Sequence, residues 1–288
     1  MPPPSRPDPP IMTYGPGSLL RDPSRLFRDM RRDLAASREL AWRLLVRNTS
    51  AKYRQTLLGY AWAFLPPVFT TLVFVFLRDA GFFNAPETEV PYVVFLLAGM
   101  VLWEVFADAL NSPIRMVGQS TSMLTKVNFP REALILAGIG EVLVSFLIRL
   151  SLLAIVIAWF GVSVPWTAVL FPFGALALVV LGVALGALLT PFAILYHDIG
   201  QGLPFLVTIW MFLTPVVYSP PREWPGSLTM VLNPVSPVLD TTRALLLTGS
   251  PESFAGFLAV SLVGGVALLL GWLLYRVALP ILIERLSA

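Results

Sequence analysis

Cysteine is absent from the 288 residues, which removes disulfides, thiolate metal sites and thiol nucleophiles together. Histidine occurs once, at His197, so neither an HExxH zinc helix nor any multi-histidine metal centre can be assembled. The two lysines, Lys52 and Lys126, have no glycine-rich neighbourhood, and no GxxxxGK[ST] run is present, so the chain cannot hydrolyse ATP through a P-loop. No serine sits in GxSxG. These absences argue against an enzyme. Charge is also scarce: 13% of residues are charged against 56% hydrophobic, with a mean hydropathy of +0.76, too little polar surface for a soluble globule of this length. The composition is that of an integral membrane protein. The first twenty residues are rich in proline and lack an apolar core, which excludes a cleavable signal peptide; a disordered or loosely attached tail is expected over 1–21.

What charge there is lies unevenly. Eleven of the twenty Lys and Arg residues precede position 60, and the positive-inside rule then places the N-terminus in the cytoplasm. The net charge of +3 and the pI near 9.4 do not point to nucleic acid, because the basic residues are interleaved with Leu, Phe and Trp; anionic lipid headgroups suit them better. From Asp22, which can cap a helix ahead of Pro23, the residues Leu26, Phe27, Met30 and Leu34 recur at helical spacing, with Arg25, Arg28, Asp29 and Arg32 opposite. Such a helix lies in the cytoplasmic interface, or else packs on a soluble partner. A second stretch, 40–53, continues the pattern with Trp42 and Tyr53 as interfacial aromatics, so 22–58 is read as one interface region.

A helical span needs roughly twenty apolar residues to cross a ~30 Å hydrocarbon layer. Six runs qualify, at about 59–77, 92–113, 134–160, 168–195, 202–218 and 257–279, and together they make 59–288 the transmembrane domain. Even parity returns the C-terminus, with Arg276 and Arg285, to the cytoplasm. Arg115, Lys126 and Arg131 fall in an inner loop, whereas the outer loop after the first run carries Asp79, Glu87 and Glu89. The turn at 196–201 is so short that the runs it joins must be antiparallel neighbours. The outer segment 219–253 is the longest loop and still holds apolar runs at 228–232 and 238–247. It is either a pair of short helices dipping back into the membrane as an outer gate or an ordinary extracellular loop. The expected fold class is all-α and integral to the membrane, with six transmembrane helices, an N-terminal amphipathic interface helix and re-entrant outer gate helices.

Three charges fall inside these runs. Glu104 and Asp108 lie one turn apart in the second, and Arg149 lies well inside the third. Each isolated charge there costs on the order of 2.5–3.5 kcal/mol, so pairing or water must offset it. Glu104 and Arg149 sit at similar depth, which suggests a structural ion pair; a polar pore lining is the alternative.

Several segments, in order, resemble a known family. Residues 53–67 (YRQTLLGYAWAFLPP), 128–132 (NFPRE), 197–199 (HDI), 213–218 (LTPVVY) and 232–234 (LNP) are similar to elements of the membrane subunit of type-2 ABC exporters for cell-surface polysaccharides, of the O-antigen and teichoic-acid kind. At the 197–199 turn His197 stands where Arg is more usual. The resemblance runs from about residue 22 to the C-terminus. It implies a homodimeric channel in the bacterial inner membrane that moves a lipid-linked polysaccharide outward, each copy engaging a separate cytoplasmic ATPase chain. This chain would bind no cofactor itself; ATP and Mg would sit on the partner.

Under that resemblance the inner segment 118–131 is expected to hold a short coupling helix, with Met123, Leu124, Val127 and Phe129 as apolar contacts and Lys126 and Arg131 as polar ones. Membrane-surface docking is the other reading of that helix. His197 and Asp198 form a second contact, although Asp198 equally suits a helix cap. Sugar stacks on aromatic rings, so Tyr60, Trp62 and Phe64 of the first span and Trp210, Phe212 and Tyr218 of the fifth are candidates for the passage, unless they face lipid or core. Pro66, Pro67 and Pro215 are expected to bend those spans. Rival readings are an ABC exporter of small lipids or drugs, a proton-coupled transporter using Glu104 and Asp108, and an intramembrane enzyme acting on lipid-linked sugars.

Overall fold

The computed structural model describes residues 23–54, 59–82, 89–126, 129–220 and 231–287; the side chains of Tyr53, Arg54, Tyr60 and His197 lie outside that description, as do the expected tail at 1–21 and the 228–230 part of the outer segment. Every regular element among the described residues is helical. The helices are α1 (Pro23–Arg54), α2 (Leu65–Asp79), α3 (Tyr92–Lys126), α4 (Glu132–Trp159), α5 (Phe171–Leu195), α6 (His197–Leu213), α7 (Val235–Leu247) and α8 (Phe254–Ser287), with short 3₁₀ turns at Gly59–Ala63 and Trp166–Leu170.

Proline placement explains most of these boundaries. α1 contains neither Pro nor Gly after its first residue, so the two expected interface stretches fuse into one helix of 32 residues. Pro66 and Pro67 do not bend α2; they occupy its first turn, where a missing N–H costs nothing. The run 59–77 is therefore split between a 3₁₀ turn and a 15-residue helix about 22 Å long. α6 stops at Leu213 because the residue before Pro215, Thr214, takes the extended conformation that a following proline favours (φ −101°, ψ 140°). The separate coupling helix expected over 118–131 does not form. α3 continues unbroken through Pro113 to Lys126, since no further proline intervenes before Pro130.

Among the described residues, four helical segments are long and apolar enough to cross a membrane: Tyr92–Thr121, Glu132–Trp159, Trp166–Leu195 and Phe254–Leu279. The fifth expected run contributes the shorter helix Asp198–Leu213, and the first contributes α2. The protein is thus a multi-pass helical membrane protein built on a four-helix frame with two shorter apolar helices beside it.

α3 is the centre of that frame, with 78% of its most apolar window buried inside the protein. Its closest neighbour is α5, whose Gly182 and Gly186 form a GxxxG pair against it. A Cβ at Gly182 would stand 2.8 Å from the Phe106 carbonyl oxygen, and one at Gly186 would run into the Leu110 carbonyl. α8 closes on the far side of α5, where Gly271 comes as near to the Ala184 carbonyl. At one end of the frame α1 lies along α4, its Ala41 and Leu44 packing with Met116, Leu134, Ala137, Tyr275 and Leu279. α7 is wedged into the opposite end, between the beginnings of α3 and α5.

Gly186→Leu is expected to prevent folding, and Gly186→Ala to cost about 1–3 kcal/mol through the same overlap. Gly202→Ala, where nothing lies within 4 Å, should be neutral or slightly stabilising. Thermal unfolding of the purified variants in detergent, followed by the loss of monodisperse protein, measures the difference.

Candidate functional site

Polar groups concentrate at three levels of the frame. At the α7 end the backbone is broken between α6 and the turn at 214–217, which leaves carbonyls without helical partners. Arg243 of α7, 2% exposed, fills that gap: its Nη1 donates to the Pro215 and Val216 carbonyls at 3.0 and 3.2 Å, and its Nη2 donates to Asp240 at 2.9 Å. The guanidinium also lies 3.8 Å from the centre of the Phe95 ring. The Tyr92 hydroxyl donates to the Val217 carbonyl at 3.1 Å, and Gly99 admits the Val216 carbonyl where a Cβ would stand 2.6 Å away. Asn233 joins the same region from the start of α7. Its Oδ1 accepts from the Val235 N–H and from the Trp210 indole, both at 3.0 Å, and its Nδ2 donates to the Thr214 hydroxyl at 2.8 Å. Eleven of the thirteen α7 residues are buried, so α7 is a short helix set into the protein rather than lying over it.

In the middle of the frame Arg149 of α4 faces both carboxylates of α3. Its Nε lies 2.7 Å from Glu104 and its Nη1 donates to Asp108 at 2.7 Å. The charge therefore has two partners, one helical turn apart, where a single pair with Glu104 was expected.

At the α1 end two further clusters tie α1 to the frame. Asn48 donates to Glu141 of α4 at 2.8 Å, and the other carboxylate oxygen of Glu141 is held by Arg115 of α3 at 3.0 Å. Arg276 of α8 bridges Asp33 of α1 and Glu132 of α4. The neighbouring Tyr275 hydroxyl donates to the Arg131 carbonyl at 3.3 Å. Among the expected coupling residues, Leu124 is buried and Met123 and Phe129 pack against the same apolar cluster, so these contacts are made within the chain. Lys126 and Asp198 are exposed. Asp198 makes no capping hydrogen bond; it sits in the first turn of α6 behind the N-cap Tyr196, where its charge suits the helix dipole. The His197 side chain lies outside the described residues, as do Val127 and the Tyr60 ring.

The remaining aromatics divide by position. Trp210 is half-buried, edge-on to Phe106 and Trp103, with its N–H committed to Asn233. Trp62 and Phe212 are exposed at 53% and 55%, Phe64 is half-buried, and the Tyr218 hydroxyl donates to the Phe212 carbonyl at 3.3 Å. The ring of Phe74 of α2 lies 6.4 Å from that of Phe212 of α6.

A family model described as ABC-2 type transporter matches residues 39–247, which takes in every cluster above except Asp33 and the α8 residues. The chain belongs to the ABC-2 type transporter family. It is 28% identical over 218 residues to the O-antigen export system permease protein RfbA of Myxococcus xanthus, an alignment covering 74% of this chain and 82% of that protein. It is 20% identical over 210 residues to the protein of the same name from Klebsiella pneumoniae, covering 71% and 78%.

Within this ABC-2 chain, sequence reasoning passed over Arg243 and Arg276, and with them Asn48, Glu141 and Asp33. Arg243 had left a signal, being the single basic residue in the apolar run 238–247. Arg276 had none, because an arginine near the end of a span reads as an ordinary interfacial anchor. Arg243→Lys retains the charge but not the planar fork that serves two carbonyls and a carboxylate at once, so a loss of about 1–3 kcal/mol is expected. Arg243→Met should cost more, leaving Asp240 buried without its partner. Unfolding midpoints of the purified variants, and protease cleavage near the turn at 214–217, test both.

Proposed function

We propose that this chain is the membrane subunit of an ATP-driven exporter that moves a lipid-linked polysaccharide out of the cytoplasm, working as a homodimer with two copies of a separate ATPase chain. The observation that carries the reading is the ABC-2 match over most of the frame in a chain that has no P-loop of its own, together with relatives named as O-antigen export permeases. The membrane is the bacterial inner membrane. The α1 end, with its basic residues, faces the cytoplasm, the α7 end faces outward, and α2 and α6 complete six spans.

In this arrangement ATPase contact falls on the exposed ends of α3 and α6, at Lys126 and Asp198, and on Met123, Arg131 and His197 around them. Leu124 and Phe129 act behind them, transmitting the load into α1, α4 and α8 through the apolar cluster they share. α7 and the turn at 214–217 serve as the outer gate. Polymer passes beside α2 and α6, where Trp62 and Phe212 present rings for weak stacking, Tyr60, Phe64 and Tyr218 extend the path, and Trp210 positions the gate through Asn233. The substrate's lipid anchor and the ATP-bound Mg belong to the ligand and the partner, and nothing in this chain is asked to break a bond.

Two experiments test this. Co-expression with a candidate ATPase partner should yield a stable complex whose ATP hydrolysis responds to this chain. The Lys126→Glu, Asp198→Lys double variant should lower ATPase capture about tenfold while folding normally, since both side chains are exposed. Failure of any ATPase to co-purify would remove the energy source and the proposal with it. Trp62→Ala with Phe212→Ala should slow polymer export roughly fivefold, in line with the loss of about 1 kcal/mol of stacking, without releasing the ATPase. Unchanged export from the double variant would refute the placement of the passage beside α2 and α6.

A further inference from the structure

Between Val94 and Val117, α3 leaves only six residues short of full burial: Glu104, Ala107, Asp108, Asn111, Ile114 and Arg115. At 3.6 residues per turn these fall within one arc of about 120°. Four of the six are polar or charged, on the helix that is otherwise the most thoroughly buried in the protein. On one side of the arc α4 approaches so closely that a Cβ at Gly138 would stand 3.0 Å from the Met116 side chain. On the other side lies α6, with Gly200 near Ile114 and Trp210 against Trp103 and Phe106. The arc thus forms the floor of a groove between α4 and α6.

A face of this composition does not belong in hydrocarbon. Turned to lipid, its charges would be costly, and Ala107 and Ile114 are the only apolar residues of the arc. The contacts described above already draw Glu104 and Asp108 toward Arg149 and Arg115 toward Glu141, and the Asn111 Nδ2 donates to the Ala107 carbonyl at 2.8 Å, yet none of the four arc polar residues is driven to full burial by them. The stripe also continues toward the α1 end, where Gly118 and Gln119 are exposed. The half-buried stripe thus leads to exposed residues at the α1 end and stops beyond Glu104, where the same arc of α3 becomes fully buried; filled with water, the groove would meet the needs of these groups.

We propose that this stripe lines the inner vestibule of the passage and binds the sugar portion of the substrate, its carboxylate, amide and guanidinium groups meeting sugar hydroxyls. Successive polar side chains along it lie about one helical turn, ~5.4 Å, apart, a spacing that suits the hydroxyls around a single sugar ring. The inference rests on the exporter function proposed above and divides its path: polar and sugar-binding along α3 on the inner side, aromatic beside α2 and α6.

Because the chain has no cysteine, a single introduced thiol reports on this directly. Asn111→Cys, with Ala107→Cys as a second position on the same face, is compared with Leu147→Cys, on an outward apolar face that is 61% exposed. The full complex is used, in inside-out membrane vesicles from cells that make the surface polymer and from cells lacking the transferase that initiates it, with a charged, membrane-impermeant methanethiosulfonate as probe. A hydrated thiol ionises and reacts whereas one in apolar surroundings does not, so Asn111→Cys should be modified at least about tenfold faster than Leu147→Cys. Polymer in transit should slow that reaction several-fold. If the Asn111→Cys and Ala107→Cys thiols are as unreactive as that of Leu147→Cys, the groove is dry and the inference is overturned. Rapid modification that is indifferent to polymer overturns the sugar assignment. Surface polymer restored by the unsubstituted chain is scored in the same cells: its absence refutes the exporter function itself, whereas a dry groove in exporting cells refutes only the vestibule.

Discussion

Helices already immersed in hydrocarbon gain little from leaving it, so their association depends on how closely their backbones can approach and on the polar groups they bring together. In this protein the close approach is made by Gly182 and Gly186 of α5 against the Phe106 and Leu110 carbonyls of α3. Everything else is arranged around that contact. α3 is sealed on the α5 side, its other faces are shared among α2, α4, α6, α7 and α8, and what those helices leave incompletely covered is the polar stripe. A side chain at Gly182 or Gly186 would separate α3 from α5 and displace α8, which packs on the far side of α5 through Gly271.

Three arginines then fix the layers that close packing alone would let slide. Arg243 holds the broken backbone at 214–217 against α7, Arg149 holds α4 against α3, and Arg276 holds α1 and α4 against α8. Buried ion pairs of this kind contribute little net stability over a well-packed apolar substitute, because desolvation offsets most of the attraction. Their effect is on register. A guanidinium fork accepts its partners in few geometries, and a half-satisfied alternative would leave a charge unpaired in a low-dielectric interior.

This division of labour suits a subunit that receives work rather than performing chemistry. In the function proposed above, an ABC-2 chain without a P-loop takes force at one end and responds at the other. Here α1, α3, α4 and α8 are joined at one end by apolar contacts and two ionic clusters, while the α7 end is joined by hydrogen bonds to a short break in the chain. At that other end the helix is interrupted at Thr214 and Pro215, where the Pro215 carbonyl is held by the Arg243 side chain and not by a helical ladder.

Hydropathy and charge placement were enough to read an all-helical membrane chain, the N-terminal amphipathic helix and, among six expected spans, the four long ones, because apolar length and basic clustering are local properties of the chain; the family was legible only in the ordered short motifs at 53–67, 128–132, 197–199, 213–218 and 232–234. The bends expected at Pro66, Pro67 and Pro215 do not occur, since whether a proline starts, crosses or follows a helix is decided by what packs around it. The fusion of α1 into one helix and the run of α3 through to Lys126 were decided in the same way. The charges Glu104, Asp108 and Arg149 were visible as charges, yet the second partner of Arg149, the carbonyls served by Arg243 and the bridge made by Arg276 appear only once helices distant in sequence are brought together. The sequence by itself determined which residues would enter the membrane; tertiary structure alone decided which polar groups would meet there, because in a medium without water a polar side chain takes whatever partner the packing of other helices supplies.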